Sequence, residues 1–374
     1  MRAIAVFPGQ KDIRIVEHEP PALRSPAAAK VRVLEVGVCG TDREIAGFQY
    51  GTPPPGSDHL VIGHESLSEV VEVGPEVDRP RVGDLVVLMV RRPCPHAECP
   101  ACRAGRQDFC VTGDFTERGI KGAHGYMTEL VVDDARTMHV VPRELRDIAV
   151  LVEPLTIAEK ALIQVRELQE RFPWVPKARP GIPATGALAG CHRAVVLGAG
   201  PVGILGALAL VAAGFETTVY SRQPCGDPKA RLVESFGARY VSSETDTVEQ
   251  LAERAGNIDL VYEATGASRL SFDVLEVLGT NGIFVFTGVP GRKAPIEVDT
   301  DLIMRNMVLR NQIVLGTVNA GPDAFAAATR DLGVFARRWP ETVRALITSR
   351  SPMEEYRGLL LGDPQGIKNV ITLV

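Results

Sequence analysis

The chain contains 374 residues, with 41 Lys and Arg against 46 Asp and Glu, which gives a formal net charge of −5. At about 150 residues per domain, this length predicts two domains. The mixed, slightly acidic charge argues against a nucleic-acid-binding protein, which normally shows a basic face. No apolar run reaches the roughly 20 residues that span a bilayer. The hydrophobic fraction of 45% excludes a disordered chain.

The first residues lack an apolar segment followed by a small-residue cleavage site, so we expect no export signal and a cytoplasmic protein. The chain has seven cysteines, an odd number that does not suggest a disulfide framework. Four of them fall between Cys94 and Cys110. Because clustered thiols in a reducing compartment more often bind a metal ion, these cysteines predict a metal site.

The first part of the chain, to about residue 140, has the pattern of a β-rich domain. Short runs of Val, Ile and Leu alternate with Gly, Pro and Asp, as is typical of strands joined by turns. A helical pattern begins near Arg143, and its apolar residues recur every three or four positions as far as Val165. The segment 172–190 is rich in Pro and Gly and is predicted to be a linker or a surface excursion.

From Cys191 onward, predicted strands alternate with predicted helices. Strands and helices of this length in alternation predict βαβ units and a parallel sheet. The C-terminal segment has a mixed pattern and ends in a strand-like sequence at 369–374. The fold class is therefore α/β, with a β-rich domain and a doubly wound parallel-sheet domain.

A glycine motif follows the first of these strands and opens a helix. Its sequence fits G-x-G-x-x-G and consists of Gly198, Ala199, Gly200, Pro201, Val202 and Gly203. In a dinucleotide-binding fold, the first glycine permits a tight turn and the second lets the backbone approach the pyrophosphate. The third allows close packing of helix and strand, and the helix N-terminus attracts phosphate. The alternative is a glycine turn in an unrelated α/β protein.

The end of the second strand indicates which dinucleotide is bound. Tyr220, Ser221, Arg222 and Gln223 stand where an Asp or Glu would bind the 2′-hydroxyl of NAD. Arg222 is suited instead to a 2′-phosphate, and Ser221 adds a donor. A solvent-exposed arginine without this role is the alternative. We predict NADP as the cofactor and leave use of NAD alongside it open.

Side chains of the types that bind zinc occur in three separate motifs. The motifs are Cys39-Gly40-Thr41-Asp42, Gly63-His64-Glu65 and Glu153-Pro154. Most single Cys or His residues serve packing or lie on the surface. Here Cys39 follows a predicted strand in a turn next to a glycine, and His64 follows an apolar run, a setting that favours a metal site.

A second candidate metal site is local in the sequence. It consists of Cys94, Cys99, Cys102 and Cys110. Four thiolates form a closed, structural zinc site, since they leave no coordination position for a substrate. Free thiols are the alternative, but clustered exposed thiols oxidise. His96 in place of Cys94 would also complete the set, and we favour Cys94.

Taken together, these residues resemble the zinc-dependent medium-chain dehydrogenase/reductase superfamily and, within it, the microbial glucose 1-dehydrogenases. The similarity extends over essentially the whole chain. It is carried by GVCGTDREI (37–45), VRRP (90–93), GRQDFC (105–110), ERGIKGAHGYMTE (117–129), VEPLTIAEKAL (152–162), VYEATG (261–266) and LGTVN (315–319). The resemblance implies a GroES-like catalytic domain, 1–190 and 316–374, with an inserted Rossmann domain at 191–315.

The resemblance also implies roles for individual residues. The catalytic-zinc positions are Cys39, His64, Glu65 and Glu153, of which the two glutamates exchange in and out of the metal sphere. Thr41 is implied as the proton-relay hydroxyl, and Glu117 and Asn319 as sugar contacts, while Glu153 serves sugar and metal alike. Beyond the glycine motif, Ser221 and Arg222, the expected cofactor-binding residues are Thr265, Gly288, Val289, Thr317 and Asn319.

The implied activity is oxidation of the anomeric hydroxyl of an aldose, D-glucose first, to the lactone with hydride transfer to NADP. The implied enzyme carries one catalytic and one structural zinc and is a homodimer or homotetramer. Val90 stands where some relatives carry an Asn that contacts sugar, Ile157 where some carry an acidic residue, and Leu309 where some carry a His. The resemblance therefore supports an aldose more strongly than glucose itself. A zinc dehydrogenase of another polyol, amino alcohol or alcohol, and a non-catalytic NADPH-binding protein, are the alternatives.

Overall fold

The computed structural model describes residues 1–170, 192–291, 295–363 and 365–373. Within these ranges the strands are β1 Arg2–Phe7, β2 Asp12–Glu17, β3 Ala28–Gly37, β4 Leu60–Val61, β5 Glu65–Val73, β6 Leu85–Leu88, β7 Arg91–Arg92, β8 Thr116–Arg118, β9 Gly122–Ala123, β10 Leu130–Asp134, β11 Met138–Val141, β12 Arg193–Leu197, β13 Glu216–Ser221, β14 Arg239–Ser242, β15 Leu260–Glu263, β16 Ile283–Phe286, β17 Ile313–Gly316, β18 Ile347–Pro352 and β19 Lys368–Thr372. The helices are α1 Gly40–Ala46, α2 Pro100–Arg103, α3 Val152–Glu170, α4 Pro201–Ala212, α5 Pro228–Ser235, α6 Val248–Ala255, α7 Ser268–Glu276, α8 Thr300–Leu309, α9 Pro322–Arg338, α10 Pro340–Ala345 and α11 Tyr356–Leu361.

The chain divides into two compact units. Unit 1 comprises Met1–Thr156, Asn319–Ala336 and Val343–Val374, and unit 2 comprises Ile157–Val318 and Arg337–Thr342. The division predicted from the sequence differs from these units, because it assigned residues 157–170, 316–318 and 337–342 to the first domain. Helix α3 groups with unit 2 because its apolar residues, including Ala161 and Leu162, line a small cavity with Gly206 of α4. The predicted linker at 172–190 lies outside the described residues.

Unit 1 is built on a seven-stranded sheet with the order β11-β6-β5-β3-β19-β18, and β10 pairs with the first half of β3. The long strand β3 pairs antiparallel with β5 over most of its length. The C-terminal strand β19 pairs with the end of β3, where Val370 lies opposite Gly37. The C-terminal strand β19 is therefore part of the same sheet as the N-terminal strand β3. Apolar residues of these strands, among them Val31 and Val86, are fully buried in the core.

Unit 2 is built on a six-stranded parallel sheet with the order β14-β13-β12-β15-β16-β17. Numbered from the first strand of the unit, this is the order 3-2-1-4-5-6 of a doubly wound dinucleotide-binding sheet. Its core contains Val195, Leu197, Val261 and Phe284, all buried. The predicted alternation of strands and helices is confirmed in this unit.

The helical pattern predicted from Arg143 begins later than expected. Residues 143–145 and 149–151 form short 3-10 turns, and the α-helix starts at Val152. A 3-10 turn also repeats every three residues, so Leu145, Ile148 and Leu151 are buried on one side without an α-helix. None of the helices in the described ranges combines the length and the apolar composition that crossing a bilayer requires.

Candidate active site

Three side chains with metal-binding chemistry meet in unit 1 where β3 ends and β5 begins. Cys39 is the N-cap of α1, and His64 and Glu65 lie at the start of β5. The antiparallel register sets Gly37 of β3 opposite Glu65, so the two segments come together. One donor atom from each of Cys39, His64 and Glu65 lies within 4.8 Å of the other two.

Two glycines permit this close approach. Gly63 has a φ of +91°, and a Cβ there would lie 2.6 Å from Met127 Cγ. At Gly37, a Cβ would lie 2.1 Å from Glu65 Oε2. A larger residue at either position would displace the turn that carries His64 or the carboxylate of Glu65.

The buried carboxylate of Asp42 joins the two segments. Its Oδ2 accepts a hydrogen bond from Cys39 N at 2.9 Å, and its Oδ1 accepts one from Gly63 N at 3.2 Å. Oδ1 also lies 3.2 Å from His64 Nδ1. Burial lowers the pKa of His64, but Asp42 and Cys39 outweigh that effect, so the pKa is raised above its usual value. Asp42 therefore orients the imidazole and fixes the positions of both ligand-bearing turns.

A buried ion pair holds Glu65. Lys368 Nζ, on β19, donates to both carboxylate oxygens of Glu65 at 2.5 and 2.8 Å, and both side chains are 1% exposed. Burial lowers the pKa of Lys368, yet the charges of Glu65 and Cys39 raise it more, so the ammonium form is kept. A carboxylate has about four lone-pair sites, so Glu65 can accept from Lys368 and still face a cation.

Two further predicted residues lie on neighbouring helices. Glu153 is buried in the first turn of α3, and burial is the main reason that its pKa rises to about 7, while Glu65 adds to the shift and His64 opposes it. Among the described residues, the donor atoms within 4.8 Å of one another belong to the other three predicted ligands, Cys39, His64 and Glu65, and not to Glu153. Thr41 is half-buried in the first turn of α1, two residues after Cys39.

The donor set of this site suits a zinc ion. Thiolate, imidazole and carboxylate are the side chains that bind Zn²⁺. Three donors leave one tetrahedral position open, which is the arrangement of a catalytic rather than a structural site. The buried Asp42 carboxylate lies 3.2 Å from His64 Nδ1, the position in which a carboxylate usually supports a metal-bound imidazole.

The four cysteines of the local cluster converge in the same unit. The Sγ atoms of Cys94, Cys99, Cys102 and Cys110 all lie within 4.8 Å of one another. The hydroxyl of Thr112 and nearby backbone amides lower the pKa of Cys110 to about 6, which favours its thiolate. His96 is not in this group, and its Nε2 lies 2.6 Å from Asp114 Oδ2. This geometry fits a four-thiolate zinc site.

The two predicted sugar contacts are hydrogen-bonded to each other. Asn319 Nδ2 donates to Glu117 Oε1 at 2.8 Å, although the residues are 202 positions apart. Arg91 donates to the same oxygen through Nε at 3.1 Å and Nη2 at 3.0 Å. Asn319 has a φ of +60°, a conformation that asparagine tolerates better than most residues. Arg91 and Asn319 together therefore fix the orientation of the Glu117 carboxylate.

The glycine motif of unit 2 has the expected local geometry. Gly198 has a φ of +100°, and a Cβ there would lie 2.6 Å from Thr265 Cγ2. Gly203 packs so closely that a Cβ would lie 2.1 Å from Gly198 O. Gly200 is the N-cap of α4, Pro201 and Val202 form its first turn, and a Cβ at Gly200 would meet nothing within 4 Å. The open space at the helix N-terminus suits a phosphate group.

The end of β13 presents the predicted 2′-phosphate residues. Ser221 is buried, accepts a hydrogen bond from Ala199 N at 3.2 Å and donates to Gln223 Oε1 at 2.9 Å. Arg222 is exposed, and within the described ranges no hydrogen bond or ion pair engages its guanidinium. Ser221 thus ties the glycine turn to this strand, while Arg222 is available to an anion.

Two of the remaining predicted cofactor residues, Thr265 and Gly288, donate to a carboxylate that the sequence analysis did not single out. Glu263, fully buried at the end of β15, accepts hydrogen bonds from Thr265 N, Thr265 Oγ1, Gly266 N and Gly288 N at 2.6 to 3.1 Å. Val289 is exposed, and Thr317 is buried directly after β17. Glu263 therefore fixes the loops that follow β15 and β16.

Sequence reasoning missed Asp42, Lys368, Arg91 and Glu263. Asp42, Arg91 and Glu263 all lie inside motifs that carry the family resemblance, and a carboxylate three residues after Cys39 at a helix N-terminus was a usable signal. Glu263 stood at the carboxyl end of a predicted strand, where ligand-binding loops begin. Lys368 had no local signal, because its partner Glu65 is 303 residues away.

Residues 146–373 match the sequence family described as "Glucose dehydrogenase C-terminus". The chain belongs to this family. Residues 25–143 match the "Alcohol dehydrogenase GroES-like domain", which with the parallel sheet of unit 2 confirms the predicted fold class.

Full-length relatives agree with this membership. The chain is 38% identical to glucose 1-dehydrogenase of Methanocella arvoryzae, covering 100% of this chain and 99% of the relative. It is also 38% identical to glucose 1-dehydrogenase of Thermoproteus tenax, covering 99% of both chains. A solved structure, Haloferax mediterranei glucose dehydrogenase in complex with NADP, Zn and gluconolactone, is 32% identical with a TM-score of 0.86, covering 100% and 99% of the two chains.

Proposed function

We propose that the protein is a zinc-dependent NADP glucose 1-dehydrogenase, which oxidises the anomeric hydroxyl of an aldose, D-glucose first, to the lactone. The observation that carries the proposal is the intact Cys39, His64 and Glu65 donor set on the scaffold of this family. The relative from Haloferax mediterranei, solved with NADP, Zn and gluconolactone, supports the same metal, cofactor and product.

Cys39, His64 and Glu65 would hold the catalytic zinc, and Glu153 would exchange with Glu65 at the metal. Bound zinc polarises the C1 hydroxyl oxygen and lowers its pKa. Thr41 Oγ1 relays the proton of that hydroxyl. Lys368 and Asp42 keep Glu65 and His64 oriented, which reduces the rearrangement needed when substrate binds.

Glu117 and Asn319 would select a sugar over a simple alcohol. Arg91 and Asn319 both donate to Glu117 Oε1, so in the described part of the chain the hydrogen bonds to this carboxylate converge on one oxygen. The other carboxylate oxygen of Glu117 is then an oriented acceptor for a sugar hydroxyl. A site built to hydrogen-bond a hydroxyl strongly rejects a substrate that lacks it.

The cofactor site would take NADP on the turn Gly198–Gly203, with its 2′-phosphate on Arg222 and Ser221. The cysteine cluster would hold the structural zinc through Cys94, Cys99, Cys102 and Cys110. We further propose, on the family resemblance, a cytoplasmic homodimer or homotetramer whose small-molecule partner is a sugar. Sedimentation of the purified protein tests the assembly.

The activity is tested by following NADPH formation with a panel of aldoses, sorbitol and simple alcohols, with and without a chelator. We expect turnover with aldoses, loss of turnover in the chelator and recovery on addition of zinc. Activity on sorbitol or simple alcohols with none on any aldose would instead support a zinc dehydrogenase of another substrate class. Hydride transfer to no substrate, with zinc bound only at the cysteine cluster, would support a non-catalytic NADPH-binding protein.

The Asp42→Asn variant should bind the catalytic zinc about 10–100-fold more weakly, as is usual when a residue behind a metal ligand is changed. Asparagine lacks the charge facing His64, and its amide cannot accept both Cys39 N and Gly63 N. Competition with a fluorescent zinc chelator measures the change. The exposed Asp78→Asn variant is the control. Equal zinc affinity in the two variants would refute the proposal that Asp42 positions the zinc ligands.

The Arg222→Ala variant should lower kcat/KM for NADP by about 10–100-fold and leave kcat/KM for NAD nearly unchanged. A hydrogen bond to a charged group contributes about 1.5–3 kcal/mol. NAD has no 2′-phosphate, so the substitution removes no such hydrogen bond from bound NAD. Steady-state kinetics with both cofactors measures the ratio. Arg239→Ala is the control, because Arg239 lies at the amino end of β14, away from the ligand-binding end of a parallel sheet. An unchanged preference in Arg222→Ala would refute the assignment.

A further inference from the structure

Three histidines form a cluster in unit 1 that the proposed dehydrogenase does not use. His18 follows β2, His59 precedes β4 and His124 follows β9. The ring centroids of His18 and His59 are 5.1 Å apart, those of His18 and His124 5.4 Å, and those of His59 and His124 5.2 Å. One ring nitrogen from each histidine lies within 4.8 Å of the other two. Near-equal spacings of this size suit three imidazoles around one ion, since Zn–N bonds are about 2.0–2.1 Å.

The surroundings leave room for such an ion. Each of the three histidines is half-buried, so the cluster is reachable from solvent. Ala3, Ala5 and Phe7 of β1 form a small apolar cluster with Val61, and Phe7 packs against the ring of His59 at 5.1 Å. The aromatic ring of Phe7 therefore borders His59 without offering a hydrogen-bond acceptor.

The orientation of His59 presents a lone pair to the cluster. His59 Nδ1 lies 2.8 Å from Asp58 Oδ1, so the Nδ1–H group donates a hydrogen bond to the carboxylate. A neutral imidazole then has its lone pair on Nε2. That Nε2 lies 3.0 Å from His18 Nε2. A carboxylate behind a histidine, as Asp58 stands here, is the usual support of a metal-bound imidazole.

His124 differs from His59 because its lone pair already accepts a hydrogen bond from the backbone. Its Nδ1 accepts a hydrogen bond from Val61 N at 3.1 Å, so the single lone pair of this neutral ring is already engaged. A metal ion must replace that hydrogen bond to gain the third ligand. His18 and His59 are therefore the stronger pair of ligands and His124 the weaker third.

The charges around the cluster are compatible with a cation. Burial, followed by the neighbouring histidines, lowers the pKa of His124 to about 4, and burial also lowers the pKa of His18. Three cations of the described residues lie nearby, and each has an anionic partner. Arg14, over the ring of Phe7, lies 2.5 Å from Asp12. Arg118 is paired with Asp133 at 2.6 Å, and the N-terminal ammonium lies 3.8 Å from Glu17.

We propose that His18, His59 and His124 bind a divalent transition-metal ion of the zinc and nickel class, at a site separate from the catalytic donor set and the cysteine cluster. Imidazole is a common ligand of these ions. Three histidines leave a position for water, which the exposure of the cluster allows. The inference rests on these side chains alone and not on the proposed dehydrogenase activity.

Titration with Ni²⁺ alone, by calorimetry, of the full chain loaded beforehand with no more than two zinc ions per chain tests the site. We expect the unmodified protein to bind one more Ni²⁺ per chain than the His18→Gln/His59→Gln double variant. His192→Gln, in unit 2, is the matched control and should bind as the unmodified protein does. Asp58→Asn, which keeps all three rings, should weaken binding by about 10–100-fold. His124→Gln should weaken binding less than either single change at His18 or His59, because glutamine can still accept from Val61 N.

Equal Ni²⁺ binding in the unmodified protein and the double variant, or no Ni²⁺ binding beyond the zinc already present, would overturn the proposal. Circular dichroism of each variant shows whether it is folded. If the double variant is unfolded, the comparison of Asp58→Asn with the unmodified protein decides, and equal affinities there would overturn the proposal too.

Discussion

Replacing Cys39 by alanine is expected to remove one zinc ion per chain and to lower kcat for aldose oxidation by on the order of 10³-fold or more. The thiolate is one of three converging donors, and the two that remain, His64 and Glu65, are tied to Asp42 and Lys368. Loss of a Lewis acid removes several kcal/mol of transition-state stabilisation, and each 1.36 kcal/mol is tenfold in rate. Metal analysis and steady-state kinetics on the same preparation measure both effects.

The control for this experiment is Cys225→Ala, since Cys225 is an exposed free cysteine of unit 2. That variant should keep full activity and its full zinc content. A Cys39→Ala protein that retained both zinc ions and near-normal kcat would exclude Cys39 as a ligand. Loss of activity with unchanged zinc content would assign Cys39 a role other than metal binding.

Replacing Cys99 by alanine is expected to remove the other zinc ion and to lower Tm by about 10 °C or more. The lobe around Cys99 consists of short elements, with four residues in α2 and two or three in β7, β8 and β9. Such elements bury little apolar surface, so a structural zinc, which stabilises small domains by several kcal/mol, holds them together. In a unit of about 200 residues, each kcal/mol shifts Tm by about 2–4 °C.

Thermal unfolding and metal analysis of single variants also decide the fourth ligand of this cluster. Cys94→Ala should behave as Cys99→Ala does, while His96→Ala should keep its zinc, because His96 is exposed and bonded to Asp114. The reverse pattern would assign His96 in place of Cys94. Cys225→Ala is again the control, with an unchanged Tm.

Much of the fold and of the chemistry was predictable because the signals are local. The Gly198–Gly203 turn needs a strand before it and a helix after it, and all three are contiguous in the chain. The four cysteines of the lobe span only residues 94–110, so their spacing alone predicts their convergence. The alternation of strands and helices after residue 191 predicts a parallel sheet, and the structure has one.

The supporting interactions of the sites could not be predicted from local pattern. Glu65 meets Lys368 because β19 pairs with β3, next to the strand that carries Glu65. Arg91 and Asn319 meet at Glu117 by the same kind of long-range contact. The sequence around either partner of such a contact does not predict it.

The sequence by itself determined the class of the protein, its cluster of cysteines and its dinucleotide turn, since these depend on residue type and short spacing. Only the tertiary structure decided which carboxylates support the ligands, which lysine neutralises Glu65, and that His18, His59 and His124 meet. Each histidine stands alone in its own segment of chain. Sheet pairing and loop packing bring them together, and those depend on the whole chain.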